Sequence, residues 1–273
     1  MLSNRSHENW FASAFTILEL IYHSSIRSVR KGHGNAVLGL LMNIVQTVML
    51  VAVFYAMYAF IGFASGGIRG DFMLYLMTGV FLYMCHIKAM GAVVGAEAPK
   101  SAMMKHAPMN TIVAIGAAAL AELYVQLLSM LVVLFIYHAA WQPLEIHNTL
   151  GALFMVLLSW FSGVAVGTIF LGAKPWAPQF VGLLSQIYAR TNMFASGKMF
   201  VANTLPGFML PYFTWNPLFH IIDQARGYAF LNYNPHDVAL IGNRVTCFVC
   251  LLIGLMAEFY TRRRASISWG AKQ

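Results

Sequence analysis

The charged side chains that could do chemistry lie inside or beside long apolar stretches. Arg190, Lys198 and Arg226 fall within an interrupted polar region of the C-terminal half, and Glu122 falls in the middle of an apolar run. An ionisable group at membrane depth is costly unless it meets a partner or water, so such residues are candidates for a functional role. The three cations could attract an acidic polymer or a lipid phosphate. Arg190 could equally be the ion-pair partner of Glu122.

Aromatic side chains offer a second kind of chemistry in the same apolar stretches. Sugar rings present C–H faces that pack on aromatic rings, and aromatic residues also fill helix bundles and membrane interfaces routinely. The sequence therefore leaves both roles open. The candidates for an internal substrate path, including two of the cations, are Tyr55, Tyr58, Tyr83, Trp160, Tyr188, Arg190, Phe194 and Lys198.

Motifs for nucleotide or hydrolytic chemistry are absent from the sequence. No GxxxxGK[ST] phosphate loop occurs, because the single Gly197-Lys198 pair has Asn192 where the first glycine belongs. GxSxG and HExxH are also missing, and the nine histidines are dispersed in a way that is more typical of loops and interfaces than of a site. Cys247 and Cys250 form a CxxC without a partner pair at zinc spacing. We predict buried thiols, no metal site, no bound cofactor and no enzymatic activity.

The composition is typical of a helical membrane protein. Of the 273 residues, 59% are hydrophobic and 10% are charged, and the mean hydropathy is +0.67. The net charge of +8 does not indicate nucleic-acid binding, because the 17 Lys and Arg residues are scattered around apolar runs. No cleavable signal peptide is evident before the first sustained apolar run, which begins near Ala36.

Six segments are predicted to enter the membrane. They cover residues 37–63, 72–94, 112–137, 150–171, a fifth that begins near residue 179, and 238–260. The fifth is interrupted by Arg190, Asn192 and Lys198, and broken polar backbone is tolerated at membrane depth only under protein or a water-filled cavity. We therefore predict a half-span followed by one or two short re-entrant helices at the outer face.

An amphipathic helix is predicted before the first span, and basic residues set the orientation. Over residues 10–29, apolar side chains recur at steps of three or four residues and form one stripe suited to the membrane interface. Basic residues near the ends of the chain and after the even-numbered spans fall on one side, namely Arg27, Arg30, Lys31, Lys100, Lys105, Lys174, Arg262, Arg263 and Arg264. The positive-inside rule then predicts that both termini are cytoplasmic.

The polar and aromatic region at residues 214–235 carries a distinctive string. It consists of Trp215, Asn216, Pro217, Leu218, Phe219 and His220, followed by Asp223, Arg226 and Gly227. The string resembles a signature of the permease subunits of capsular-polysaccharide ABC exporters, a branch of the type-2 ABC exporter permeases. Chain length, the N-terminal helix, the number of spans and the basic loop after the second span extend the resemblance to nearly the whole chain.

This resemblance implies an architecture and a set of partners. It implies an all-α protein of the bacterial inner membrane with an N-terminal interfacial helix (residues 1–35), a six-span permease domain with re-entrant helices between spans five and six (36–264), and a cytoplasmic tail (265–273). It also implies a homodimer that pairs with two copies of a cytoplasmic ATPase, which binds ATP and magnesium. The substrate would be a lipid-linked polysaccharide, with periplasmic and outer-membrane components completing the route.

The resemblance also implies a role for the loop after the second span. In the family this loop is a coupling helix that inserts into a cleft of the ATPase. The residues here that would contact the ATPase are Lys100, Ser101, Met104, Lys105 and His106.

Three alternative functions remain open at this point. An O-antigen or teichoic-acid type permease would share most of these features. A membrane-embedded acyl or glycosyl transferase acting on a lipid-linked sugar would need catalytic His, Asp or Glu clustered at one membrane face, and no compact cluster is apparent. A structural subunit without transport activity would leave the polar residues at membrane depth without a purpose.

Overall fold

All regular structure in the described residues is helical. A computed structural model describes residues 10–31, 36–61, 68, 70–96, 111–235 and 240–270. The helices are α1 (Trp10–Lys31), α2 (Ala36–Ile61), α3 (Phe72–Val94), α4 (Thr111–Ala140), α5 (Thr149–Ala173), α6 (Pro178–Ala195), α7 (Pro217–Ala229) and α8 (Leu240–Gly270), with 3-10 turns at Ala202–Thr204 and Leu210–Tyr212. The predicted all-α class is confirmed for this part of the chain.

Five of these helices are long and apolar enough to cross a membrane. The candidate spans are Val37–Phe60, Phe72–Val94, Thr111–Ala140, Thr149–Ala173 and Arg244–Thr261. The predicted fifth segment is instead α6, which has 18 residues and includes Gln179, Gln186, Arg190 and Asn192. A multi-pass membrane protein is therefore supported, while α6, with 18 residues, is more polar than the five candidate spans.

The predicted cytoplasmic contacts lie largely outside the described residues. Residues 97–110, which include Lys100, Ser101, Met104, Lys105 and His106, are not among them. One contact at the near end of this segment is described. The Lys174 ammonium donates to the carbonyl oxygen of Val94, the last residue of α3, at 2.8 Å, and a cation suits the negative end of a helix.

Helix α3 is the centre of the bundle. It packs against α2, α4, α5 and α7, most extensively against α5. Within the candidate spans, 67% of α3 is buried in protein, against 22% of α2. A helix that is apolar on all sides is stable where neighbours surround it, which explains why α3 occupies this position.

Glycines on α5 let the neighbouring backbones come into direct contact. A Cβ atom at Gly163 would lie 2.2 Å from the carbonyl oxygen of His86, and one at Gly167 would lie 2.9 Å from that of Met90. Helix α8 approaches α5 in the same way, because a Cβ atom at Gly254 of α8 would lie 2.3 Å from Oγ1 of Thr168 on α5. The GxxxG pattern therefore marks a real close approach of α3 and α5.

A polar network inside the bundle contains the hydrogen-bond partner of Glu122. The Gln126 amide nitrogen donates to Glu122 Oε1 at 2.7 Å and to Asn43 Oδ1 at 3.2 Å, and Asn43 Nδ2 donates to Ser129 Oγ at 3.0 Å. No ion pair joins Glu122 to Arg190 in the part of the chain that the structure describes. The suggested partner is thus replaced by an amide one helical turn away on α4.

The three cysteines are free thiols. Cys85 and Cys247 are buried, and Cys250 is partly buried. The prediction of buried thiols is confirmed for Cys85 and Cys247.

Replacing Gly163 by alanine should destabilise the bundle. The added methyl group would collide with the His86 carbonyl oxygen, and overpacking of this kind lowers the free energy of unfolding by about 1–3 kcal/mol. Thermal unfolding of purified protein, followed by size-exclusion chromatography after heating, measures the effect.

Gly182→Ala on α6 is the matched control, because a Cβ atom at Gly182 meets nothing within 4 Å. This change should leave the unfolding temperature unchanged or raise it slightly, since alanine favours helix over glycine. Equal unfolding temperatures for the two variants would contradict the close packing of α3 and α5.

Candidate functional site

The Arg226 side chain holds a stretch of non-helical backbone in place. It lies on α7 and is fully buried. Nη1 donates to the carbonyl oxygens of Gly197 and Phe200 at 2.8 and 2.6 Å, and Nη2 donates to that of Lys198 at 2.6 Å. The guanidinium carbon lies 4.1 Å from the centre of the Tyr75 ring. A planar group with five N–H donors suits this task, because it can satisfy several carbonyls at once.

Asn216 joins the beginning of α7 to the end of α6. Its side-chain oxygen accepts a hydrogen bond from the Leu218 amide at 3.1 Å and so caps the helix. Its amide nitrogen donates to Asn192 Oδ1 at 2.8 Å and to the Ala195 carbonyl oxygen at 3.0 Å. Pro217 follows at the first helical position, where a missing N–H leaves no bond unmade.

Asp223 and His220 attach two further parts of the same segment to α7. Asp223 Oδ1 accepts from the Tyr233 hydroxyl at 2.6 Å and from the Ala202 amide at 3.2 Å. Burial and the Asp223 carboxylate raise the pKa of the Tyr233 hydroxyl above its ordinary value, so it remains a donor. His220 Nε2 lies 2.8 Å from the Thr214 carbonyl oxygen, which requires the proton on Nε2.

We call Asn216, His220, Asp223 and Arg226, with the backbone they bind, the α7 cluster. The cluster explains the glycine of the Gly197-Lys198 pair. Gly197 has φ +73°, and a Cβ atom there would lie 2.5 Å from the Phe219 ring. A glycine is needed at this turn for conformation and for space.

Lys198 is a buried cation in an aromatic setting. Its side chain is 2% exposed, and Nζ lies 3.5 Å from the centre of the Tyr83 ring and 4.6 Å from that of Phe54. Nζ has no hydrogen-bond partner among the described residues. The two rings stabilise the charged form in place of a counter-ion.

The sequence is similar to that of a polysaccharide transport protein. No family model matches the chain. Over 198 residues, the chain is 25% identical to the polysialic acid transport protein KpsM of Escherichia coli, a match that covers 72% of this chain and 76% of that protein. A second KpsM sequence from the same organism matches to the same extent. The resemblance to polysaccharide-export permeases is confirmed. The similarity favours a transport subunit.

The residues proposed from sequence for a substrate path fall into three groups in the structure. Tyr58, Tyr83 and Lys198 are buried in the bundle. Two others are partly buried and hydrogen-bonded: Trp160 Nε1 donates to the Ala119 carbonyl oxygen at 2.8 Å, and the Tyr188 hydroxyl lies 3.0 Å from His86 Nε2.

The third group presents accessible surface. Tyr55 and Phe194 are 44% and 62% exposed, and Arg190 is also exposed. In this conformation, these three are the exposed members of the set. Contact of any member with a substrate stays a prediction.

Of the re-entrant signature, every polar member has a structural partner. Asn216, His220, Asp223 and Arg226 are buried in the α7 cluster, whereas Trp215 is 64% exposed. The attraction of an acidic polymer by Arg226 is not supported by its placement, because the side chain is fully buried and both Nη groups donate to backbone carbonyl oxygens.

Sequence reasoning missed His86, the buried centre of a link between three helices. Ser162 donates its proton to the Ser159 carbonyl oxygen at 2.7 Å, so it accepts from His86 Nδ1 across 2.7 Å. His86 Nε2 then accepts from Tyr188. The only sequence signal was a histidine within an apolar helix, which does not by itself identify partners 76 and 102 residues away.

Replacing Arg226 by lysine should strongly destabilise the protein even though the charge is kept. A lysine ammonium cannot span three carbonyl oxygens, and each buried polar group that is left unpaired lowers stability by about 1–3 kcal/mol. Thermal unfolding in the same membrane mimetic as the wild type measures the loss. Arg190→Lys is the control, since Arg190 is exposed. Similar unfolding temperatures for both variants would contradict the role of Arg226.

Replacing Lys198 by methionine should stabilise the protein. The lysine is 2% exposed and its ammonium has no hydrogen-bond partner among the described residues, and a buried charge is costly unless it is paired. Methionine fills a similar space without the charge.

The measurement is the unfolding temperature of both proteins in the same membrane mimetic. Lys88→Met is the matched control, because Lys88 Nζ donates to Gln46 Oε1 at 2.7 Å, so its replacement should not stabilise the protein. An unfolding temperature of Lys198→Met at or below that of the wild type would show that burial of the Lys198 charge does not lower stability.

Proposed function

We propose that this chain is the transmembrane subunit of an ATP-driven exporter that moves a lipid-linked capsular or related polysaccharide across the bacterial inner membrane. The observation that carries the proposal is the similarity to a polysialic acid transport protein over 72% of the chain. The five candidate spans agree with it. That relative is named for the transport of polysialic acid, a polysaccharide, which favours a polysaccharide exporter over a teichoic-acid type permease; an O-antigen type permease is the alternative.

A second copy of the chain is proposed to cover the exposed face of α6. Phe180, Leu183, Ile187 and Phe194 recur on this face at helical spacing and are 49–62% exposed, and Arg190 lies on the same face. A guanidinium on a lipid-facing helix is costly. This face therefore suits protein, or a water-filled path, between two copies.

The same reasoning bears on the predicted fifth membrane segment, α6. With protein cover from the second copy, α6 can enter the membrane despite its polar residues. Helix α7 and the two 3-10 turns are then the re-entrant segment at the outer face, and residues 36–264 form one permease domain with both termini cytoplasmic.

ATP binding by a separate ATPase is proposed to act on residues 97–110. This segment follows α3, and the Lys174 ammonium binds the Val94 carbonyl oxygen at the end of that helix. Lys174 lies in the turn that leads directly into α6. A displacement of residues 97–110 would therefore be passed to the helix that is proposed to line the path.

The native mass of the complex tests the proposal. The chain is co-expressed with a candidate ATPase, purified, and compared with a variant in which residues 100–107 are replaced by glycine and serine. We expect an assembly of two permease and two ATPase chains for the wild type and permease without ATPase for the variant.

Replacement of the exposed residues Pro143, Glu145 and His147 of another loop by glycine and serine controls for general damage and should leave the assembly intact. A folded wild-type chain that recruits no ATPase, and that turns over a lipid-linked sugar alone, would instead support the transferase alternative.

A further inference from the structure

The Lys198 ammonium lies between aromatic rings from two helices. The centres of the Phe54 ring of α2 and the Tyr83 ring of α3 lie 4.6 and 3.5 Å from Nζ, and both rings are buried. At a rise of 1.5 Å per residue, Tyr83 is about 16 Å along α3 from Phe72. The ammonium is therefore held well inside the bundle and not at one of its ends.

The backbone of Lys198 is fixed, whereas its ammonium has unused donors. The Lys198 carbonyl oxygen accepts from Arg226 Nη2 at 2.6 Å. Its Cα and Cβ atoms pack against Gly79 of α3, where an added Cβ would lie 2.9 and 2.8 Å from them. Nζ has no hydrogen-bond partner among the described residues, although an ammonium carries three N–H donors. A ligand that reaches Nζ would thus meet a cation on a fixed backbone.

The physical chemistry of a buried ammonium indicates which ligand suits it. A charge that leaves water without a counter-ion lowers stability, and cation–π contacts with two rings offset only part of this loss. A charged side chain at membrane depth is for this reason a candidate for a functional role. The strongest partners for N–H donors on a cation are carboxylate and phosphate oxygens. Lys198 is therefore suited to a negatively charged group.

Of the two rings, Phe54 has the less enclosed position. It belongs to α2, of which 22% is buried in the candidate span, against 67% of α3. Its chain neighbours Val53 and Tyr55 are 55% and 44% exposed, so α2 lies at the edge of the bundle. Tyr83 is tied to α6, because its hydroxyl donates to the Ala189 carbonyl oxygen at 3.1 Å. Displacement of Phe54 therefore breaks fewer contacts than displacement of Tyr83.

We propose that Lys198 is a covered binding residue for an acidic sugar unit, and that displacement of the Phe54 ring opens its ammonium to the carboxylate of that sugar. The proposal rests on the polysaccharide-export function and deepens it, because it assigns one residue to an acidic unit of the exported glycan. Cover by Phe54 keeps other anions, such as phospholipid headgroups, away from the ammonium until the ring moves.

Ligand-observed NMR titration of the full chain tests the proposal. The chain is reconstituted in phosphatidylcholine nanodiscs, without a glycoside detergent, whose sugar headgroup would compete. The probes are the methyl glycosides of glucuronic acid and of glucose, which differ in a carboxylate against a hydroxymethyl group. Phe54→Ala removes the cover, so it should bind the glucuronide about tenfold more tightly than the wild type, the gain typical of one hydrogen bond to a charged group. Glucoside binding should not change.

Two double variants show whether the gain in affinity comes from Lys198. Phe54→Ala combined with Lys198→Met should bind the glucuronide no more tightly than the wild type. Phe54→Ala combined with Lys88→Met is the matched control and should keep the gain, because Lys88 Nζ donates instead to Gln46 Oε1 at 2.7 Å. If Phe54→Ala does not fold, Phe54→Leu replaces it, and it should give a smaller gain that is also lost with Lys198→Met.

Labelling of lysines provides a second readout, which needs no sugar. The wild type and Phe54→Ala are treated with an amine-reactive succinimidyl ester, and the modification of each lysine is followed by peptide mass spectrometry. Lys198 should react more slowly in the wild type than in Phe54→Ala, because the ring covers it. Lys88 should react at the same rate in both proteins.

Several results would overturn the proposal. They are an unchanged affinity of Phe54→Ala for the glucuronide, an equal gain for the glucoside, a gain that survives Lys198→Met, or equal labelling of Lys198 in the two proteins. Loss of the gain when phosphatidylglycerol is added to the nanodiscs would show that a phospholipid headgroup, and not a sugar, is the ligand. Because these experiments use neither ATP nor an ATPase, their failure is distinct from a failure of the ATPase assembly experiment.

Discussion

The arrangement of the C-terminal half depends on the hydrogen bonds from Arg226 to three backbone carbonyl oxygens. Between α6 and α7 the chain forms only two short 3-10 turns, so most of its backbone groups cannot be satisfied within regular structure. Buried without partners, such groups would each destabilise the fold. One guanidinium satisfies three of them, and Asn216 and Asp223 fix the two ends of the same segment. The polar residues Asn216, Asp223 and Arg226 are therefore needed for this region to fold.

Hydropathy predicts most of the helices because a membrane span must satisfy its own backbone and be apolar over its length. The predicted spans 72–94 and 150–171 agree closely with Phe72–Val94 and Thr149–Ala173. The polar interruption after residue 179 is also evident in sequence, and α6 is not among the five helices that are apolar enough to be candidate spans. The partners of Arg226 are not predictable in this way, since they lie 26–29 residues away along the chain.

The candidate path shows the limit of sequence reasoning more clearly. Helix α3 is apolar on every side, so its sequence contains no stripe from which to infer which residues face a neighbour. Tyr83 was therefore a reasonable candidate for an open path, yet it packs under Lys198 and its hydroxyl donates to the Ala189 carbonyl oxygen at 3.1 Å. Asp71 carried a local signal, as an acidic residue before an apolar run, but its pairing with Tyr137 depends on how α3 and α4 meet.

The glycine contacts between α3 and α5 have a mechanical consequence. Because backbone touches backbone at Gly163 and Gly167, these two helices cannot slide or separate without losing dense packing, and they will move as one rigid body. Helix α6 is attached to this body through a few side-chain hydrogen bonds, from Tyr83 and to His86, each worth only about 1 kcal/mol net. If the protein opens and closes, the movement that breaks the fewest contacts is a rotation of α6 relative to α3 and α5, which stay fixed against each other.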